Sequence, residues 1–543
     1  KIGEINCLTE KDKKVYQDLS SYTLDKDETS IINRFENVVL KHGLKKALVF
    51  NDEYISYTEL EARINQLSNY LKSKNVQKGD FVCINLEPSI EYFVSIIAVL
   101  KCGGVYVPLD TNYPKSRIDF ILKDAKVNIL IDKELFEFGL NDYPSSFEHV
   151  TIDLNDPVYC IYTSGSTGDP KGVLVSQKAV LNLTDWFVHE FNVSEKDVTT
   201  KFAGTAFDVS VAEIFPFLLN GSCIHVIPED IRKNPDEVNQ YFNQHLVNIA
   251  FLPTQFCELF MDYQNTSLKT LITAGDALKK FSKNNYDLYN LYGPTENTVY
   301  STFYKVEKQS LNIPIGKPVS NTSAIIIDEN RNLVSLNVKG ELCLSGDNLA
   351  TEYLNNEKLT NEKFNQVHYN GRNYYKTGDI ARILDDGNIE FHGRTDFQVK
   401  IRGYRIELGE IDTHILNNSE VSESITIDYI DESNEKILVN YYVGSIDSDK
   451  LKLRLENSLP DYMVPARFIK LETMPLNTNG KIERKKLPEP RLNFENSLRK
   501  NASTETEKQL TNLWEQVIGI KEIGINQNFF RLGGNSLKSV ILL

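Results

Sequence analysis

The chain of 543 residues has little that would pair cysteines, hold a polyanion or cross a bilayer. Its seven cysteines (Cys7, Cys83, Cys102, Cys160, Cys223, Cys257 and Cys343) are scattered, with no C-x-x-C pair and no histidine at ligand spacing. That excludes a zinc ribbon and a disulfide framework, and it points to a reducing cytoplasm. No basic tract stands out: 60 basic against 75 acidic residues leave a net charge of −15, which speaks against nucleic acid and membrane surfaces as partners. The most apolar stretch, Tyr92–Val107, is interrupted by Ser95, Lys101, Gly103 and Gly104, and the opening KIGEINCLTEKDKK has no signal-peptide core. Neither a membrane span nor a secretory leader is expected. No internal repeat is seen.

What is present is ordinary globular material, 41% hydrophobic and 25% charged, in a chain too long for one core. Up to about residue 390, strand-like runs such as FVCINL (Phe81–Leu86) and SAIIID (Ser323–Asp328) alternate with helix-period segments such as Tyr57–Leu71. That alternation predicts α/β sheets. Beyond Asp379 the texture changes to short strands, with Asp386-Gly387 as a hairpin turn, then a helix from Leu408 and the strand KILVNYYVG; a small α+β domain is expected. The segment after Leu487 is polar, with two prolines and no apolar period, and reads as a linker. A helical pattern, TEKQLTNLWEQVIGI, then opens a third unit of about forty residues, too few for a core of their own.

The sharpest local signal is YTSGSTGDPKGV, Tyr162–Val173. Hydroxyls on Thr163, Ser164, Ser166 and Thr167, the close backbone approach allowed by Gly165 and Gly168, and the charge of Lys171 suit a triphosphate. The Walker A pattern cannot be laid over it, because Pro170 precedes Lys171 and Gly172 follows it. A surface loop rich in small residues is the plain alternative.

Further motifs follow in order: LKCGGVYVPLD (Leu100–Asp110) ahead of that loop, then FDVSVAEIF (Phe207–Phe215), NLYGPTEN (Asn290–Asn297), GELCLSG (Gly340–Gly346), YKTGD (Tyr375–Asp379), GRTDFQVKIRGYRIELGEI (Gly393–Ile411), LPDYMVP (Leu459–Pro465) and NTNGKIERKKL (Asn477–Leu487). Together they resemble the adenylation domain of a nonribosomal peptide synthetase, within the adenylate-forming superfamily that also holds acyl-CoA synthetases and luciferases. The resemblance implies an α/β large N-terminal domain, a smaller α+β C-terminal domain and a partial helical carrier domain. The expected boundaries are a linker from an upstream domain at 1–28, the large core at 29–394, the small mobile subdomain at 395–490, a linker at 491–503 and an incomplete carrier domain at 504–543.

Residue by residue, the resemblance makes Asp379 the carboxylate that holds the ribose hydroxyls of ATP, and Glu296 the ligand of a Mg²⁺ riding on the phosphates, a cation that wants oxygen donors. Asn290 and Tyr292 flank the adenine, with Gly293 and Thr295 in the same turn, and Arg394 contacts the nucleotide. Lys481 becomes the catalytic lysine, neutralising the repulsion between an amino-acid carboxylate and the α-phosphate. Asp396 is the hinge about which the small domain swings between adenylate formation and thiol transfer.

Asp208 resembles the residue that pairs with the α-ammonium of an amino acid. The implied pocket continues with Val209, Ala212, Ala250, Ile272, Ala274, Leu291, Val299 and Tyr300. It offers no ionisable group but the Tyr300 phenol, so a charged substrate side chain would stay unpaired. An apolar amino acid is expected: three alanines leave room for an aromatic ring, slightly favoured, while Leu291 and Tyr300 could trim the space to a branched aliphatic.

NFFRLGGNSL (Asn528–Leu537) resembles the attachment sequence for 4'-phosphopantetheine, with Ser536 as the modified residue; Asn535 departs from the histidine or aspartate frequent there. The implied cofactors are ATP, Mg²⁺ and phosphopantetheine. The implied partners are an amino acid, adjacent condensation or other synthetase domains, a phosphopantetheinyl transferase and a small helper protein. The implied product is the amino acid stored as a thioester on the carrier. Two other readings stand beside this one: an acyl-CoA ligase of the same superfamily, and a catalytically silent scaffold.

Overall fold

The structure is a computed structural model that describes residues 8–25, 27–51, 53–137, 139–165, 168–396, 398–401, 403–431, 436–476, 482–490, 500–518, 523–526 and 529. The chain divides into two compact units. The first comprises residues 1–113, 118–163 and 170–396; the second comprises 114–117, 164–169 and 397–543.

In the first unit, apolar helices and strands build a layered α/β core. Helix Tyr57–Ser73 begins at a capping box between Ser56 and Glu59, which satisfies amide donors at its start. Helix Ile90–Lys101 buries every residue but Glu91. The lysine that interrupts this apolar run in sequence, Lys101, is buried because its ammonium meets Glu36 at 3.0 Å and the side-chain oxygen of Asn65 at 2.8 Å.

A six-stranded sheet runs in the order Glu352–Tyr353, Lys171–Ser176, Pro157–Thr163, Val105–Pro108, Phe81–Ile84, Ile129–Ile131. A four-stranded sheet ends on Cys223–Val226 and Val198–Lys201. A five-stranded sheet carries Ile249–Phe251, Thr270–Ala274 and Asp287–Tyr292 in parallel, followed by two antiparallel strands. The remaining strands of this unit form an antiparallel sheet around Arg372–Ile383, which turns through Gly387, at φ +83°, into Ile389–Arg394.

Within the stretch expected as a linker, helix Glu10–Asp18 folds against that last sheet. Tyr16 and Leu19 are buried there, and the Tyr16 hydroxyl donates to the Val334 carbonyl at 2.8 Å.

The second unit pairs Gln398–Ile401 with Tyr404–Glu407, and sets helix Leu408–Leu416 beside a sheet of Val421–Ile430, Lys436–Gly444 and Arg467–Lys470. Helix Glu505–Ile518 follows later in the chain. No described helix is long and apolar enough to cross a membrane.

Candidate functional site

Parallel strands present their carboxyl ends to one edge of a sheet, and the residues at those ends and in the loops beyond line the place where ligands bind in open α/β folds. Ala250 lies on the strand Ile249–Phe251, Ile272 and Ala274 on Thr270–Ala274, and Leu291 on Asp287–Tyr292. Ala274 stands opposite Leu291 in register. All four are buried, as are Ala212, Val299 and Tyr300.

Asp208 stands at the start of helix Val209–Leu218 without capping it, so its carboxylate is turned to another purpose. It accepts the Thr295 hydroxyl at 2.6 Å. Burial, and then the charge of Asp208, push the Tyr159 phenol well above its ordinary pKa. Thr295, expected beside the nucleotide, therefore touches the residue expected to meet the amino acid.

The turn that carries Thr295 is sterically determined. A Cβ on Gly293 would lie 2.1 Å from the Val299 carbonyl oxygen, so only glycine fits. A short 3₁₀ turn, Thr295–Asn297, then gives way to two consecutive β-branched residues in the left-handed region, Thr298 at φ +47° and Val299 at φ +68°. Side chains with two heavy atoms on Cβ disfavour that region, and such strain persists only where the surroundings impose it. Asn348 imposes it here: its carbonyl takes the Thr298 hydroxyl at 2.6 Å, and its amide donates to the Tyr300 carbonyl at 3.0 Å.

Glu296, fully buried, accepts the Lys171 ammonium at 3.0 Å and the Tyr353 hydroxyl at 2.7 Å, both on the same oxygen. The ammonium also lies 4.5 Å from the centre of the Tyr353 ring. Thr163 pairs with Lys171 across the hairpin, and the Thr163 hydroxyl is buried with no hydrogen-bond partner in the structure, a donor left over at the mouth of the loop.

A third cluster joins Asp379, Arg394 and Asp396. The Arg394 guanidinium donates to Asp379, to both oxygens of Asp396 at 2.7 and 2.8 Å, and to the Thr377 carbonyl at 3.0 Å. The Tyr292 hydroxyl donates to the other oxygen of Asp379; burial, and then that carboxylate, push the phenol well up. Asn290 uses its amide on the Pro314 carbonyl at 2.8 Å, a buried structural bond.

Within the second unit, the Ser164 hydroxyl donates to the Arg405 carbonyl at 2.9 Å, and the Gly165 N–H donates to Glu410 at 3.1 Å. Glu410 also takes Arg117 at 2.9 Å; burial raises its carboxyl above the usual range, with the arginine opposing. Gly168 lies at φ +99°. Of the expected site residues, Ser166, Thr167, Lys481 and Ser536 lie outside the described residues.

The sequence reading passed over Tyr353 and Asn348, which come from a segment with no recognisable pattern. It also passed over Lys201 and Glu213, a pair with side chains 0% and 3% exposed. The second of these was in view, in FDVSVAEIF, five residues after Asp208.

The chain has known relatives. It belongs to the AMP-binding enzyme family, whose profile matches residues 35–354, and a phosphopantetheine attachment site matches residues 508–543, the stretch that contains Ser536. Bacitracin synthase 1 of Bacillus licheniformis is 39% identical over 516 residues, covering 92% of this chain and 10% of that protein. Gramicidin S synthase 1 of Brevibacillus brevis is 38% identical over 548 residues, covering 96% of this chain and 50% of that protein. The chain thus spans half or less of these relatives' lengths. In fold it is similar to NpsA-ThdA, an artificially fused adenylation–PCP di-domain from Klebsiella oxytoca, with a TM-score of 0.74 at 24% identity over 82% of this chain and 94% of that one. The residues present fit the implied groups: the leftover Thr163 hydroxyl suits a phosphate oxygen, and the buried Glu296 carboxylate is a hard oxygen donor for Mg²⁺.

Proposed function

We propose that the chain activates an apolar amino acid, an aromatic one ahead of a branched aliphatic, by joining its carboxylate to the α-phosphate of ATP with release of pyrophosphate. The observation that carries this reading is the Asp208 carboxylate, which stands at a helix start without capping it and accepts the Thr295 hydroxyl, with Ala212 of the same helix buried. The α-ammonium of an amino acid is a cation that such a carboxylate can pair with.

In this reading Asp379 takes the ribose hydroxyls, held in place by Tyr292 and Arg394. Lys171 and the hydroxyls of its loop bind phosphate. Lys481 approaches the carboxylate and the α-phosphate as a substrate oxygen attacks phosphorus and the bond to pyrophosphate breaks. Glu296 would hold Mg²⁺, which when bound spreads the phosphate charge. Ser536 would carry phosphopantetheine, attached by a phosphopantetheinyl transferase; when present, that group would offer a thiol for the acyl group as AMP leaves. Adjacent condensation domains, a small helper protein and a cytoplasmic location complete the proposal.

The test is ATP–pyrophosphate exchange with Mg²⁺ across all twenty amino acids, beside Lys481→Ala. Exchange with one aromatic or branched aliphatic amino acid, lost in the variant, is expected. ATP consumption with an acyl acid and coenzyme A, and none with any amino acid, would make the chain an acyl-CoA ligase instead.

A further inference from the structure

The loop that delivers Asp208 to its place leaves strand Val198–Lys201 and enters helix Val209–Leu218. Seven residues of irregular backbone, 202–208, need hydrogen bonds of their own, and two of their amides find one unusual acceptor. Glu213, on the second turn of that helix, reaches back to the start of the loop. Its carboxylate accepts the Phe202 N–H at 2.8 Å and the Ala203 N–H at 3.1 Å. Lys201, the last residue of the strand, sets its ammonium 3.1 Å from the same carboxylate and also donates to the Ala203 carbonyl. Strand end, loop start and helix are thereby tied through one buried ion pair, and Asp208 is the residue at which the tied loop becomes helix.

The pair also governs charge near the pocket. Glu213 is among the charges that push the Tyr300 and Tyr92 phenols upward, after burial itself. Tyr92 in turn donates to the Thr205 carbonyl at 3.1 Å, a further tie on the same loop. Two opposite charges in contact cancel at a distance. One of them alone would add an uncompensated field to a region expected to receive an ammonium, and leaving one partner of a buried pair is far more disruptive than removing both.

We propose that Lys201 and Glu213 form a positioning pair for recognition of the amino-acid ammonium, fixing the height of Asp208 at the head of its helix and keeping the surroundings electrically neutral. The inference rests on the reading of Asp208 given above. It assigns neither residue a contact with substrate.

The experiment is a cycle in the exchange assay: Glu213→Gln, which keeps an oxygen acceptor for the two amides but strands a buried cation; Lys201→Met; and the two together. Glu213→Gln is expected to raise the KM for the amino acid by about tenfold or more, with the KM for ATP and kcat within about threefold. It also narrows the preference for the amino acid over its analogue lacking the amino group. The double variant is expected to recover to within about threefold of the parent, whereas Lys201→Met with Glu213→Ala, which has no acceptor, does not.

Parallel rises in both KM values, or an unchanged preference for the amino group, would reduce the pair to a structural element and overturn the proposal. If Glu213→Gln does not fold, the two double variants decide by the same split: a rise confined to the amino-acid KM in the Glu213→Ala double variant supports positioning, and parallel rises in both KM values overturn it. Asp208→Asn is run alongside: an unchanged amino-acid KM in that variant would sink the ammonium reading itself, independently of what the pair does.

Discussion

Lys171 and Glu296, 125 residues apart in the chain, meet at 3.0 Å around a carboxylate with no exposure at all. One of them is expected to bind phosphate and the other Mg²⁺, so Lys171 would exchange a carboxylate for a phosphate and Glu296 an ammonium for the metal ion, each for a group of the same charge sign. Lys171→Ala leaves the Tyr353 hydroxyl as a neutral donor to a buried anion, which costs about 3–5 kcal/mol when a buried pair is broken. Thermal unfolding is expected to drop markedly for Lys171→Ala and to recover largely in Lys171→Met with Glu296→Gln. Exchange activity should remain lost in both. Recovery of activity together with stability would show that the pair is architectural.

The Arg394 guanidinium links Asp379 to Asp396. Asp379→Asn keeps the shape but weakens both the charge on the arginine and the acceptor for ribose. The KM for ATP is expected to rise at least about tenfold while the amino-acid KM stays within about twofold. A titration of each substrate at saturating levels of the other separates the two.

Gly293 has the Val299 carbonyl where a Cβ would go, and backbone cannot move aside as a side chain can. Gly293→Ala is expected to destabilise the chain by about 2 kcal/mol or more and to abolish exchange, read by denaturant unfolding and the exchange assay together. Gly371→Ala is the control. Unlike Gly293 it lies at positive φ, +75°, but it has open space around the Cβ position, so it should cost only the backbone strain of about 1 kcal/mol.

Acid should weaken the first unit through His225. Burial, then His245 and Lys46, hold its pKa down to about 4, and its ring nitrogen Nδ1 meets the Tyr241 hydroxyl at 3.0 Å. The folded value lies below the unfolded one of 6.5, so the unfolded chain takes up a proton first. The contribution is complete above about pH 6.5 and is lost as the pH falls toward about 4, up to about 3 kcal/mol at about 1.4 kcal/mol per unit. Urea unfolding between about pH 7 and 5 is expected to show a shallower slope for His225→Gln than for the parent. Parallel slopes would remove His225 from the account.

Local elements were legible where local chemistry decides them. Asp386-Gly387 reads as a hairpin turn because the second residue needs positive φ, and it has it at +83°. The helix from Leu408 and the strand KILVNYYVG follow their apolar periods. Arg394 and Asp396 were visible as candidates because a short motif carries both. What escaped notice was every tie made across long separations. Nothing near Lys171 announces Glu296 as its partner, and nothing near Thr298 announces Asn348. Helix Glu10–Asp18 lies in the stretch that the resemblance assigns to a linker from an upstream domain; Tyr16, the C-cap Leu19 and the Asp12 carboxylate, which accepts the Leu336 N–H at 3.1 Å, seat it.

The left-handed backbone at Thr298 and Val299 bears on how the proposed amino-acid pocket could be refitted for another substrate. Ala212, Ala250 and Ala274 are buried and not at positive φ, so enlarging any of them acts through side-chain packing and leaves the backbone unstrained. Val299 is different: exchanging it for glycine or asparagine releases stored strain and lets the wall itself relax, so one substitution would alter both the side chain and the outline it stands on. An engineer altering selectivity in small increments would begin with the alanines, and one seeking an abrupt change of shape would begin at 299.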